Sequence, residues 1–213
     1  MTSIFNLLTM RRMHSFRRPG RVGVCSILFV FLSAFPCLVS SASAGTITGR
    51  ITCGSHCDNI LIYVEDVPGQ WSGEDEVAVL DQVNKEYVPH VMAVLPGTTI
   101  RLQNSDPELH NVHTYFNKET VFNISLPFQG QTAETDVFTE LGRYVVLCDV
   151  HTEMSAYIVS LQNPYFTKPD KDGFYEIENV PAGKYTLVKY DPEEKERVDK
   201  SFVLQGESVT VDF

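Results

Sequence analysis

The chain has 213 residues, with 17 basic side chains against 27 acidic ones and a formal charge of −10. A balance this acidic argues against nucleic acid and anionic membrane surfaces as partners. It favours a soluble protein that meets basic ones.

Residues 1–44 differ from the rest. They hold five arginines (Arg11, Arg12, Arg17, Arg18 and Arg21) and no acid. The apolar run "VGVCSILFVFLSAFPCLVSS" follows the arginines, and Ala42-Ser43-Ala44 has the small-residue form of a cleavage site. This layout predicts a secretory signal peptide cleaved after Ala44. The run is also long enough to span a bilayer, so an uncleaved anchor is the alternative. Export would place the mature chain in the periplasm, the cell envelope or the medium. Without the leader arginines, twelve basic residues face 27 acids, a charge of −15. No membrane binding is expected of such a surface. The remaining ~170 residues suffice for one large or two small domains.

Cys25 and Cys37 leave with the leader, so Cys53, Cys57 and Cys148 remain. In an exported protein, Cys53 and Cys57 of "CGSHC" predict a disulfide closing a small loop. A metal clasp with His56 is the alternative. Cys148 is then the odd thiol, which burial or metal ligation would explain.

Downstream, short apolar-alternating runs dominate: "GTITGRIT", "NILIYVE", "TTIRLQN", "RYVVLC", "AYIVSL", "FYEIENV", "KYTLVKY" and "SVTVDF". They read as strands. "LPGTT", "QNSDPE", "DKDG" and "VPAGK" read as turns, and "GQWSGEDE" as a polar loop. Asp170 and Asp172 in "DKDG" suit a hairpin turn; a calcium turn is the alternative, with too few acids for an EF-hand loop. No long amphipathic helix is apparent, so the fold class is all-β, a sandwich architecture.

Two segments carry chemistry. "NSDPELHNVHTYF" brings His110 and His113 where a polar turn re-enters a strand. "CDVHTEM" spaces Cys148, His151 and Met154 two residues apart. Two imidazoles, one thiolate and a thioether favour copper, in the set used for single-electron transfer. Met154 is one of only two methionines beyond the leader, the other being Met92. His90 reads as a strand residue without a metal role.

These residues resemble the cupredoxin family, the type 1 blue-copper proteins of the amicyanin and plastocyanin kind. The similarity runs from about Glu76 to Leu161. It lies in the short C-x2-H-x2-M loop, in "HNVH" and in G-x-Y-x-x-x-C, here Gly142, Tyr144 and Cys148. The resemblance implies a Greek-key sandwich, one type 1 copper, and His110, Cys148, His151 and Met154 as ligands, with His113 as the alternative to His110. It implies that Asn111 hydrogen-bonds across to the cysteine loop. Tyr144, Val146 and Cys148 alternate onto one face, which should point inward. The loop departs from the family at Asp149, Thr152 and Glu153, which would make the surface around His151 polar and negative. That suggests a redox partner with a basic face, such as a c-type cytochrome, an oxidase or a dehydrogenase.

The tail "DKDGFYEIENVPAGKYTLVKYDP" resembles the carboxypeptidase regulatory-like (transthyretin-like) β-sandwich, which usually begins with strands like those at 45–65. The expected division is a regulatory-like sandwich from residues 45–67 plus 163–213, with a cupredoxin domain, 68–162, inserted. The alternative gives the N-terminal strands to the cupredoxin and leaves the tail as a small following sandwich. The functional expectation is an exported single-electron carrier, not an enzyme, since one site with four protein ligands is expected. A copper chaperone or reservoir, or a structural or adhesive sandwich protein, are the alternatives.

Overall fold

The computed structural model describes residues 43–54 and 56–213. The expected leader, with Cys25 and Cys37, lies outside the described residues except for Ser43 and Ala44. Two strands come first, β1 (Ala44–Arg50) and β2 (Leu61–Glu65). A central block follows: β3 (Val77–Val83), β4 (Glu86–Val88), β5 (Val91–Val94), β6 (Thr99–Asn104), β7 (His110–Phe116), β8 (Glu119–Leu126), β9 (Thr132–Thr135), β10 (Gly142–Leu147) and β11 (Ser155–Ser160). The chain ends with β12 (Phe166–Thr167), β13 (Phe174–Pro181), β14 (Gly183–Asp191), β15 (Glu196–Leu204) and β16 (Val209–Thr210). A single 3-10 turn, Cys57–Asn59, is the only helical element among the described residues, and none is long and apolar enough to cross a membrane.

The fold is all-β, with strands in four sheets. The central block forms a five-stranded sheet, β5-β11-β10-β7-β8, and a four-stranded one, β4-β3-β6-β9. One core lies between them, built around Leu80, Ile100, Leu102, Val112, Val146 and Ile158. The first and last strands form the other two sheets, β13-β1-β16 and β12-β2-β14-β15. Their core includes Ile47, Ile62, Val64, Tyr175, Leu187 and Leu204. Here β1 pairs antiparallel with β13 and β2 with β14, so chain segments on either side of the central block share sheets.

A third apolar cluster joins the two sandwiches. Leu61, Tyr63 and Val188 pack there with Val91, Tyr157 and Val159. The alternation of side chains along a strand explains the arrangement. In β2, Ile62 and Val64 face one core while Leu61 and Tyr63 face the joint; in β11, Ala156 and Ile158 face one core while Tyr157 and Val159 face the joint. Both strands are therefore buried on both faces, which is why "LIYV" and "AYIV" lack polar alternation.

Local chemistry sets the turns. At "DKDG", Asp170 Oδ1 accepts the amides of Asp172 and Phe174, both at 2.9 Å. Gly173 has φ +79°, and a Cβ there would meet the Ile51 carbonyl oxygen at 2.1 Å. One oxygen of the Asp170 carboxylate is thus occupied by the hairpin's own amides. Cys53 and Cys57 are joined as a disulfide, which leaves no thiolate pair for a clasp with His56.

The strand runs of the sequence recur with shifted ends: "RYVVLC" stops at Leu147, and of "SVTVDF" only Val209–Thr210 forms a strand, although the Val211 and Phe213 amides go on to donate to the Thr48 and Arg50 carbonyls. Strands β3, β4, β8, β9, β12 and β15 fall outside the runs predicted from sequence. Much of β8, β9 and β15 is exposed, so their side chains carry little apolar periodicity.

Leu61 is 1% exposed within the joint. Leu61→Ala should cost about 2–5 kcal/mol, seen as a lower urea midpoint followed by the fluorescence of Trp71, the sole tryptophan.

Candidate metal centre

The register of the five-stranded sheet creates the site. β10 pairs antiparallel with β7, placing Leu147 opposite His113. The chain leaving β10 thus emerges beside the start of β7, where His110 and Asn111 lie. Tyr144, Val146 and Cys148 are all buried, at 2%, 0% and 2% exposure, as the alternation requires. Beyond Cys148 the chain turns tightly: the Met154 amide donates to the His151 carbonyl at 3.0 Å and the Cys148 amide to the Met154 carbonyl at 3.3 Å. Met154 then leads into β11, 2% exposed and in the same core as Cys148.

The ligand atoms of His110, Cys148 and His151 all lie within 4.8 Å of one another. Cys148 Sγ is 4.0 Å from Nδ1 of each histidine, and the two Nδ1 atoms are 3.0 Å apart. The far side of each ring faces a carboxylate. His110 Nε2 is 2.9 Å from Asp106 Oδ2, and His151 Nε2 is 3.3 Å from Glu108 Oε2. A carboxylate only accepts, so the hydrogen bond to Asp106 puts a hydrogen on His110 Nε2; in the neutral ring its Nδ1 then presents a lone pair to the cluster. The two Nδ1 atoms, 3.0 Å apart beside a thiol, need either a shared proton or a metal cation between them. The donor set therefore fits a metal, and its sulfur and imidazole composition fits copper.

Asn111 ties the two ligand segments together. Its Oδ1 accepts the Asp149 amide at 2.8 Å and the Cys148 thiol at 3.4 Å. Its amide nitrogen donates to Asn123 and Asp149 at 2.8 and 2.9 Å. The His151 amide also donates to Cys148 Sγ, at 3.4 Å. The loop before His110 is closed by Asn104, which is fully buried. Asn104 donates to the carbonyls of Glu108 and Leu126, both at 2.8 Å, and accepts the Asp106 amide at 2.9 Å.

His113 lies outside the cluster. Its Nδ1 donates to Asp149 at 2.9 Å, its Nε2 meets the Thr120 hydroxyl at 3.0 Å, and its ring stacks on Tyr115. His90 is also apart, with its ring nitrogens on the Ser155 carbonyl and Glu193.

Asp149, Thr152 and Glu153 are exposed around His151, and a further acid, Glu108, stands against its ring. The Asp149 carboxylate is taken up by His113, Asn111 and Asn123. The His113 hydrogen bond, then that from Asn123, holds it below the usual carboxylate range. Lys85 pairs with Glu108 at 2.9 Å. Burial alone would raise the Asp106 pKa; the amides of Lys85 and Asn84 and the His110 ring outweigh it and hold the group low. Asp106, Glu108, Asn104 and Lys85 were not singled out from sequence. Only the spacing of Asp106, four residues before His110, offered a signal.

No family model matches the chain, and no curated protein matches it. Among solved structures it is similar to a reduced amicyanin mutant at 21% identity and TM-score 0.37, over 47% of this chain and 98% of that one. It is also similar to a purple cupredoxin from Nitrosopumilus maritimus at 24% identity and TM-score 0.35, over 41% of this chain and 100% of that one.

Asn111→Ala would strip the Asp149 amide and the thiol of their shared acceptor. It should cost about 1–3 kcal/mol, read as a lower urea midpoint of the metal-free protein.

Proposed function

We propose that this chain is an exported type 1 copper protein that carries single electrons between redox partners, with His110, Cys148, His151 and Met154 as ligands. The observation that carries this reading is the convergence, among the described residues, of two imidazole Nδ1 atoms and one unpaired thiol in a largely buried cluster. Met154, a weak axial ligand in such sets, closes the same loop. A copper ion held there supplies one-electron Cu(II)/Cu(I) chemistry. The side chains supply a nearly fixed cage: His110 from the start of a strand, the other three from a loop pinned by Asn111. The protein fills all four positions, which suits a carrier rather than an enzyme. A chaperone or reservoir would favour a Met- or His-rich segment, and beyond the leader the chain has two methionines and five histidines.

In this reading residues 68–162 form the cupredoxin domain, and 45–67 plus 163–213 form a regulatory-like sandwich into which it is inserted. Export to the periplasm or cell envelope rests on the leader's layout. His151 is the ligand nearest the surface, with 17% of its side chain exposed, against none of His110. It is the natural point for electron entry and exit. The charge of −15 beyond the leader suits a partner with a basic face, such as a c-type cytochrome, an oxidase or a dehydrogenase.

Adding Cu(II) to the mature protein should give an intense thiolate-to-copper absorption band at one copper per chain. The band should bleach with a mild reductant and be absent in Cys148→Ala. A colourless protein that takes only Cu(I) would point to a chaperone, and no copper uptake would leave only a structural role. With a basic cytochrome, electron-transfer rates should fall as ionic strength rises, because salt screens attraction. Rates that climb with salt would overturn the basic-partner proposal.

A further inference from the structure

We propose that Asp106 is a positioning residue whose buried carboxylate holds His110 with Nδ1 toward the metal and biases the site toward Cu(II) over Cu(I). This inference rests on the copper assignment above. Asp106 lies in the loop between β6 and β7 and is 8% exposed, while His110 is fully buried. The carboxylate is 2.9 Å from His110 Nε2. Its other partners are neutral dipoles: the Asn84 amide donates to Oδ1 at 2.7 Å and the Lys85 amide to Oδ2 at 2.9 Å. Asn84 and Lys85 both have positive φ, 55° and 63°, and so turn consecutive amides onto the acid. Successive amides arranged this way hold an anion without an opposing ion. The nearest ammonium, on Lys85, is spent on Glu108 at 2.9 Å.

Asp106 therefore holds its negative charge with little exposure to solvent and without a direct ion pair to lysine or arginine, on the far nitrogen of a ligand ring. A carboxylate behind a metal-bound histidine fixes the ring and raises its basicity. The charge count gives the direction. With the Cys148 thiolate and the Asp106 carboxylate, a Cu(II) site is neutral, whereas a Cu(I) site carries one uncompensated negative charge in an apolar core. Burying such a charge is unfavourable, so reduction is disfavoured. Glu108 plays the corresponding part for His151, but its side chain is 47% exposed and it is paired with Lys85. Its charge should matter much less.

Asp106→Asn preserves size and one acceptor oxygen while removing the charge. In the copper-loaded protein, redox titration should show a rise in reduction potential of about 59 mV or more, a tenfold gain in preference for Cu(I). Glu108→Gln should move it less. Because Asp106 also anchors the turn at Asn84 and Lys85, the metal-free wild-type protein supplies a measurement independent of any variant's folding. There, 15N NMR should show His110 as the Nε2–H tautomer. An unmoved potential in folded, copper-loaded Asp106→Asn, equal shifts in the two variants, or an Nδ1–H tautomer in the wild type would each overturn the proposal. A wild-type protein that binds no copper overturns the copper assignment, and this inference falls with it. A coloured protein with an unmoved potential overturns this inference alone.

Discussion

Everything at the site depends on the antiparallel register between β7 and β10. Pairing Leu147 with His113 brings the end of one strand beside the beginning of the other. A slip of one residue would turn Tyr144, Val146 and Cys148 out of the core. It would also part Asn111 from the Asp149 amide. The register is held by what it buries: Tyr144 and Val146 lie in the core with Val112, and exposing them would forfeit about 1.5–3 kcal/mol per side chain. The cluster of His110, Cys148 and His151 is thus a by-product of ordinary core packing at one end of a sheet. The donor atoms meet because the apolar residues beneath them must.

Polar groups then set the chemistry of that end. Each imidazole has a carboxylate behind it, and the two carboxylates are unlike. Asp106 is enclosed and held by amides; Glu108 is open to solvent and paired with Lys85. Asp149, the third acid nearby, is turned aside into a network with His113, Asn111 and Asn123. The acids that lie against the two rings come from the loop before His110, which Asn104 closes.

This marks how far the sequence could be read. The ligand types are legible because their chemistry is narrow: an unpaired thiol, an imidazole and a thioether at fixed spacing have few joint uses, and the structure brings His110, Cys148 and His151 together. Strands such as β6, β10 and β14 are legible because their inward faces repeat every second residue. The exposed strands β8 and β15 carry less of that pattern, as in "ERVDKSFVL". Asp106 and Glu108 escaped notice because nothing in "SDPELH" separates a turn acid from one aimed at a ring. That distinction arises from the amides of Asn84 and Lys85, some twenty residues earlier. Likewise, burial of β2 and β11 on two faces needs both sandwiches in place.

The sharing of sheets across the central block bears on how the chain is made. β1 and β2 emerge before the other strands, yet their neighbours β13, β14 and β16 are added only after the whole central block. That block contains every strand of its own two sheets, so it can close before the flanking strands find one another. Pairings so distant in sequence carry the larger loop-closure cost and are intrinsically slow. A finished central block shortens that search, because it holds the two waiting halves close to one another. The order of manufacture and the order of assembly are thus reversed for the first two strands: made first, they are seated last.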